Sequence, residues 1–190
     1  KMANLSDSGW SEVEAFLNAT DQEREQRRKP HRLPDAWYEQ GEAIWSLTLC
    51  ARSHGSPFDN KAMAEQTVSA LRFYRNKRLC DVYVYCLMPD HLHAVMRVRS
   101  SSSETTTNDS DPSPSLLALI ARFKRYTTTQ IAWKHGFHGN LWQRDFYDHA
   151  IRNREDLENQ CRYVLNNPVR KGLALDWREY PCAGIMDEWS

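Results

Sequence analysis

Leu79–Met88 reads LCDVYVYCLM, Pro89 and Asp90 follow, and His91–Arg99 reads HLHAVMRVR. Both runs are rich in β-branched and aromatic residues, and the Pro-Asp pair between them is turn chemistry. The segment therefore predicts two strands paired as an antiparallel hairpin. Side chains alternate between the two faces of a strand, so His91 and His93 share one face and Leu92 lies on the opposite, core side.

Working outward, Ala43–Ala51 (AIWSLTLCA) predicts a preceding strand, and Asn60 an N-cap for a helix through Arg75 with Met63, Val68, Leu71 and Phe73 among its apolar residues. Downstream, residues 100–115 (SSSSETTTNDSDPSPS) hold no large apolar residue and read as a flexible low-complexity insertion. Leu116–His135 predicts a long helix whose apolar stripe is Leu116, Leu119, Ile120, Phe123 and Tyr126, ended by Gly136 and Gly139. A last strand is expected around Phe146–Ile151. Asn153 can cap a final helix holding Leu157, Cys161, Tyr163 and Val164 and ending near Pro168–Gly172, with Asp156 at its third position. The order β-α-β-β-α-β, followed by a helix, is the split βαβ arrangement. The fold expected is α+β, a ferredoxin-like (RRM-like) antiparallel sheet with helices packed on one face. Residues 1–30 read as a polar and basic arm with a short helix from about Ser11, residues 31–180 as the domain, and residues 181–190 as a tail without assignment.

The chain has 190 residues, 25 Lys and Arg, 25 Asp and Glu, and therefore no formal net charge. Mean hydropathy is −0.74. This composition excludes a collagen, a wholly disordered chain and a disulfide mini-protein, and argues against a generic polyelectrolyte binder. No apolar run is long enough for a spanning helix and no leader-like segment is apparent, so a cytoplasmic protein without membrane attachment is expected. The five Cys include no C-x-x-C pair and read as scattered reduced thiols.

Two spacings carry chemistry. His91 and His93 on one face of a strand can share a metal ion, and on a helix Tyr163 and Asn167 share one face at i and i+4. Each alone has a plain structural explanation: two unrelated histidines, a packed aromatic and a capping amide. Together they can build one site. Two imidazole nitrogens and an amide oxygen suit a divalent ion with open positions, which polarises a phosphate, while a tyrosine hydroxyl attacks phosphorus.

Leu87-Met88-Pro89-Asp90-His91-Leu92-His93 resembles the His-hydrophobe-His motif of HUH single-tyrosine transposases, and within them the REP-associated tyrosine transposases. Arg32-Leu33-Pro34 with Trp37-Tyr38, the run Leu141–His149 (LWQRDFYDH), and Arg162–Leu173 (RYVLNNPVRKGL) resemble further motifs of that branch in the same order. The resemblance spans about residues 31–180. It implies a C-terminal catalytic helix and cleavage and rejoining of single-stranded DNA at hairpin-forming repeated extragenic palindromes (REP elements). It implies a covalent 5′-phosphotyrosine intermediate with Tyr163 as nucleophile. It makes His91, His93 and Asn167 ligands of Mg²⁺ or Mn²⁺, and it implies a monomer, with a helix-exchanging dimer as the alternative. Tyr147, beside Asp148 and His149, is the competing nucleophile, and His149 a base or orienting residue. A non-catalytic nucleic-acid-binding module and a zinc hydrolase remain the rival readings.

Affinity for DNA comes mostly from phosphate contacts. The candidates are Arg27, Arg28, Lys29 and Arg32 in the arm, Arg122, Lys124 and Arg125 on the long helix, and Arg144, Arg152, Arg170 and Lys171 around the site. Trp142 is a candidate base platform. With no net charge overall, DNA binding requires the basic residues to gather on the His91/Tyr163 face.

Overall fold

The computed structural model describes residues 38, 43–52, 55–99 and 115–188. The helix expected near Ser11, the basic residues Arg27, Arg28, Lys29 and Arg32, Trp37 and segment 100–114 lie outside the described residues. Ser115, placed at the end of the insertion by sequence, is the N-cap of the following helix and accepts a hydrogen bond from the Ala118 N–H.

In chain order the elements are β1 (Ile44–Cys50), α1 (Lys61–Asn76), β2 (Cys80–Leu87), β3 (His91–Val98), α2 (Leu116–His135), β4 (Tyr147–Ala150), α3 (Arg154–Leu165), the short turn α4 (Asn167–Arg170) and β5 (Ala183–Ile185). The five strands form one sheet in the order β4-β1-β3-β2-β5, and all of its pairings are antiparallel. The caps read from sequence are in place. Asn60 Oδ1 accepts from the Ala62 and Met63 N–H groups, and Asn153 Oδ1 from that of Asp156. Gly136 closes α2 at φ +64°, a left-handed conformation that a residue without Cβ adopts at little cost.

Every residue of β2 is buried, because both faces of the sheet are covered. Leu47, Leu49, Leu92, Ala94 and Met96 meet Leu71 and Tyr74 of α1 and Leu119, Ile120 and Phe123 of α2. On the opposite face Val84, Cys86 and Val95 meet Leu157, Cys161, Val164 and Leu165 of α3. The two helices of the split βαβ motif thus share one face, as expected, and the C-terminal helix takes the other. Pairing slips by one residue between Val82 and Val84. This bulge puts Tyr83 and Val84 together in the α3-side core. Burying one large apolar side chain on either face contributes roughly 1.5–3 kcal/mol, so α3 is held by its own core and is not an appendage.

The tail carries structure that the sequence did not announce. β5 pairs with the outer edge of β2, Tyr180 donates its hydroxyl to the Leu87 carbonyl at 3.0 Å, and Asp187 accepts from the Val82 N–H at 2.8 Å. Among the described residues no helix is long and apolar enough to cross a membrane. All five cysteines are free thiols.

Candidate active site

β3 delivers His91 and His93 to the α3 side of the sheet. Their Nε2 atoms stand 3.0 Å apart, and the rings meet nearly edge to face, 4.6 Å between centres. Each Nδ1 is held from behind: Asp90 Oδ1 lies 2.6 Å from that of His91, and Thr48 Oγ1 lies 2.8 Å from that of His93. Holding Nδ1 fixes ring orientation, and the Asp90 carboxylate, which can only accept, favours the His91 tautomer that leaves Nε2 bare; both Nε2 atoms face one point. The His91 hydrogen bond, with help from the charge of Lys171, holds the Asp90 carboxyl below the usual carboxylate range despite its partial burial. Asp90 and Thr48 were missed as site residues by sequence reasoning. Asp90 had a signal, since it directly precedes the H-x-H, whereas Thr48 reaches His93 only through the β1–β3 register.

The last turn of α3 delivers Tyr163, whose ring centre lies 6.0 Å from that of His93 at a steep angle. The helix breaks just beyond. Pro168 has no N–H to give the Val164 carbonyl. Asn167 Nδ2 turns back toward that oxygen at 3.4 Å and donates to the Tyr163 carbonyl at 2.9 Å. The amide nitrogen is thereby engaged by the helix, which leaves Oδ1 as the atom able to serve a ligand. Arg170, on the turn that follows, lays its guanidinium over the Tyr163 ring at 4.9 Å from the centre. His93 and Asn167 are nearly closed to solvent, at 5% and 4% exposure.

The donor set fits a divalent ion. Two nitrogens each about 2.1 Å from an octahedral ion stand about 3.0 Å apart, since octahedral donors meet at right angles. That is the separation of the two Nε2 atoms here. Among the described residues no group of three His, Cys, Asp and Glu side chains converges, so a third protein donor would be an amide oxygen such as that of Asn167. Asp90 sits on the Nδ1 side of His91, turned away from the shared point. Cys86, opposite His93 across β2 and β3, is pushed up to about 12 by burial and stays a thiol.

Other expected residues fall elsewhere. Tyr147 is on β4, opposite Thr48, which puts it on the same face of the sheet as His93 but two strands away. Its neighbour Asp148 points to the other face, where it accepts from the Tyr38 hydroxyl at 2.9 Å. His149 pairs with Asp156 in the first turn of α3 at 3.0 Å. Trp142 is corrected from a surface platform to a core residue: it is 5% exposed and donates Nε1 to Thr127 Oγ1 at 2.7 Å, so no base can stack on it. Lys124 Nζ donates to the carbonyls of Gln143, Arg144 and Asp145, which assigns it to holding that loop. Arg122 and Arg125 ride on α2, across the sheet from the histidines, so the expected gathering of basic residues on the His91/Tyr163 face does not hold for them. Arg144, Arg152 and Lys171 are exposed, and Arg170 is half-buried beside Tyr163.

No family model matches the chain. It is 27% identical over 146 residues to a Haemophilus influenzae protein provisionally named a REP-associated tyrosine transposase, covering 67% of this chain and 77% of that one. It is 22% identical over 107 residues to the REP-associated tyrosine transposase of Escherichia coli K12, covering 56% of this chain and 55% of that one. Among solved structures it is similar to a REP-associated tyrosine transposase bound to a REP hairpin, with a TM-score of 0.58, 20% identity and 82% of each chain covered. In sequence the chain is therefore similar to REP-associated tyrosine transposases, and it shares their fold.

Proposed function

We propose that this chain is a REP-associated tyrosine transposase that cleaves and rejoins single-stranded DNA at hairpin-forming palindromes. The observation that carries the reading is the convergence of Tyr163 on His93 beside a second histidine whose Nε2 faces the same point. Tyr163 Oη attacks the phosphorus of one DNA linkage. The bond to the 3′ oxygen breaks, and a 5′-phosphotyrosine remains that a second 3′ hydroxyl can resolve. The bond energy is kept in the phosphotyrosine, so rejoining needs no external energy source. A bound Mg²⁺ or Mn²⁺, held by His91, His93 and Asn167, would polarise the phosphate. Asp90 and Thr48 keep the two imidazoles aimed, and the core under α3 keeps the phenol against them.

The working unit in this reading is a monomer, with α3 packed on the sheet that carries the histidines. Arg144, Arg152, Arg170 and Lys171 supply phosphate contacts around the site, and the partner is a single-stranded DNA hairpin met in the cytoplasm. A 3′-labelled REP hairpin oligonucleotide from the source genome, incubated with the protein and Mg²⁺ or Mn²⁺, is expected to run as a heat-stable protein–DNA species on a denaturing gel. Cleavage without linkage would overturn the tyrosine mechanism in favour of water-mediated hydrolysis, and binding alone would leave a recognition module.

A further inference from the structure

We infer that Arg170 receives the negative charge of the scissile phosphate when Tyr163 reacts with it. The inference rests on the strand-transfer reading above and adds a catalytic residue to it.

Among the described residues one buried side-chain nitrogen or oxygen has no hydrogen-bond partner, and it is Arg170 Nη1. Three arginines elsewhere show the contrast: Arg97 and Arg99 both hold Asp81, and Arg75 holds Asp187. The Arg170 guanidinium lies on the face of the Tyr163 ring, its carbon 4.9 Å from the ring centre. A ring face attracts a cation but is a poor substitute for an acceptor. An unmatched buried donor costs about 1–3 kcal/mol, and more when charged. Such a group in a folded protein calls for an acceptor that arrives in the working state.

Position says which acceptor. Arg170 follows Tyr163 by seven residues, two helical turns on, and folds back over the ring that carries the nucleophilic oxygen. We place a phosphoryl group bonded to that oxygen within reach of the guanidinium stacked on the same ring. A phosphodiester there offers two anionic oxygens to a planar fork of N–H donors, the pairing at which Arg excels. As Tyr163 Oη bonds to phosphorus, the bond to the 3′ oxygen breaks. The phenol proton passes to solvent, and the leaving 3′ oxygen takes a proton from solvent. The non-bridging oxygens hold the most charge between these two events, and a fixed cation beside them lowers the barrier.

The test compares the rate of phosphotyrosine formation, at saturating DNA, on two 3′-labelled REP hairpin oligonucleotides. One is unmodified. The other carries a neutral methylphosphonate at the linkage that the wild-type protein cleaves. Arg170→Ala is expected to lose roughly 100-fold on the first, the scale of removing one preorganised charge donor, in a rate read at saturating DNA so that weaker binding does not enter it. On the neutral linkage wild type and Arg170→Ala are expected to agree within a few-fold, because the charge that Arg170 serves is gone. Arg170→Lys should recover part of the loss on the charged linkage only, and it carries the same comparison if the alanine variant unfolds. Equal losses on both linkages would overturn the inference and leave Arg170 as a prop for the ring, and an unaffected rate would overturn it outright. No adduct with wild-type protein would overturn the transferase reading itself, a result distinct from either.

Discussion

The Thr48 hydroxyl lies 2.8 Å from Nδ1 of His93 across the β1–β3 pair, so a residue on one strand sets the ring orientation of a residue on the next. Thr48→Val keeps the shape and removes the hydroxyl. It is expected to weaken Mn²⁺ binding by about 10–100-fold, the usual cost of losing an outer partner of a metal-binding histidine. Titration calorimetry with Mn²⁺ alone reads this directly. Unchanged affinity would mean that His93 needs no such support.

Tyr163→Phe should abolish the covalent adduct with hairpin DNA while leaving DNA binding intact, because the ring still packs beside His93. Tyr147→Phe should retain the adduct, since Tyr147 stands across β1 from the histidine pair. The two variants on one denaturing gel decide between the tyrosines. An adduct in Tyr163→Phe would remove it as nucleophile.

Trp142→Phe should destabilise the fold by about 1–3 kcal/mol, from lost volume and the unmatched Thr127 hydroxyl, with DNA affinity nearly unchanged. The indole is buried against Phe58 and Phe123 and donates to Thr127. Urea unfolding and a DNA titration on the same preparation check both halves.

Asp187 ties the tail to α1 and β2. Partial burial works to raise its carboxyl, but hydrogen bonds from Arg75 and the Val82 N–H outweigh this and leave it below the usual range. A carboxyl depressed in the folded state adds stability above its unfolded value, near 3.9, and loses it as pH falls through the folded one. Asp187→Asn should therefore be less stable than wild type by about 1 kcal/mol at neutral pH. That gap should begin to narrow near about pH 4 and close once the pH is below the folded value. Thermal unfolding across pH measures it, and a gap that persisted in acid would contradict the assignment.

The hairpin around Pro89-Asp90, the alternation that puts His91 and His93 on one face, and the caps at Asn60 and Asn153 were legible because each is a local pattern. What escaped is non-local. Thr48 meets His93 only after register is chosen. The basic residues of α2 mark a solvent-facing stripe, yet nothing in the stripe says on which side of the sheet the helix packs, and so Arg122 and Arg125 were expected near the histidines. A Trp more often packs in a core than serves as a platform, and Trp142 declares itself only once Thr127 is placed beside its indole. β5 is only three residues long, Ala183–Ile185, with no periodicity to betray it; its strand character comes from the open edge of β2. The role of Arg170 depends on a fold-back over Tyr163 that i, i+3 and i+4 spacings do not reveal.

β5 has one more consequence. Without it, β2 would end the sheet with a row of unpaired backbone groups flanked on both faces by apolar side chains, the arrangement that recruits strands from other molecules. Three residues of tail shield that border. A chain cut after Tyr180 keeps both histidines, Tyr163, Asn167 and Arg170, and would be expected to fail through self-association and not through loss of chemistry.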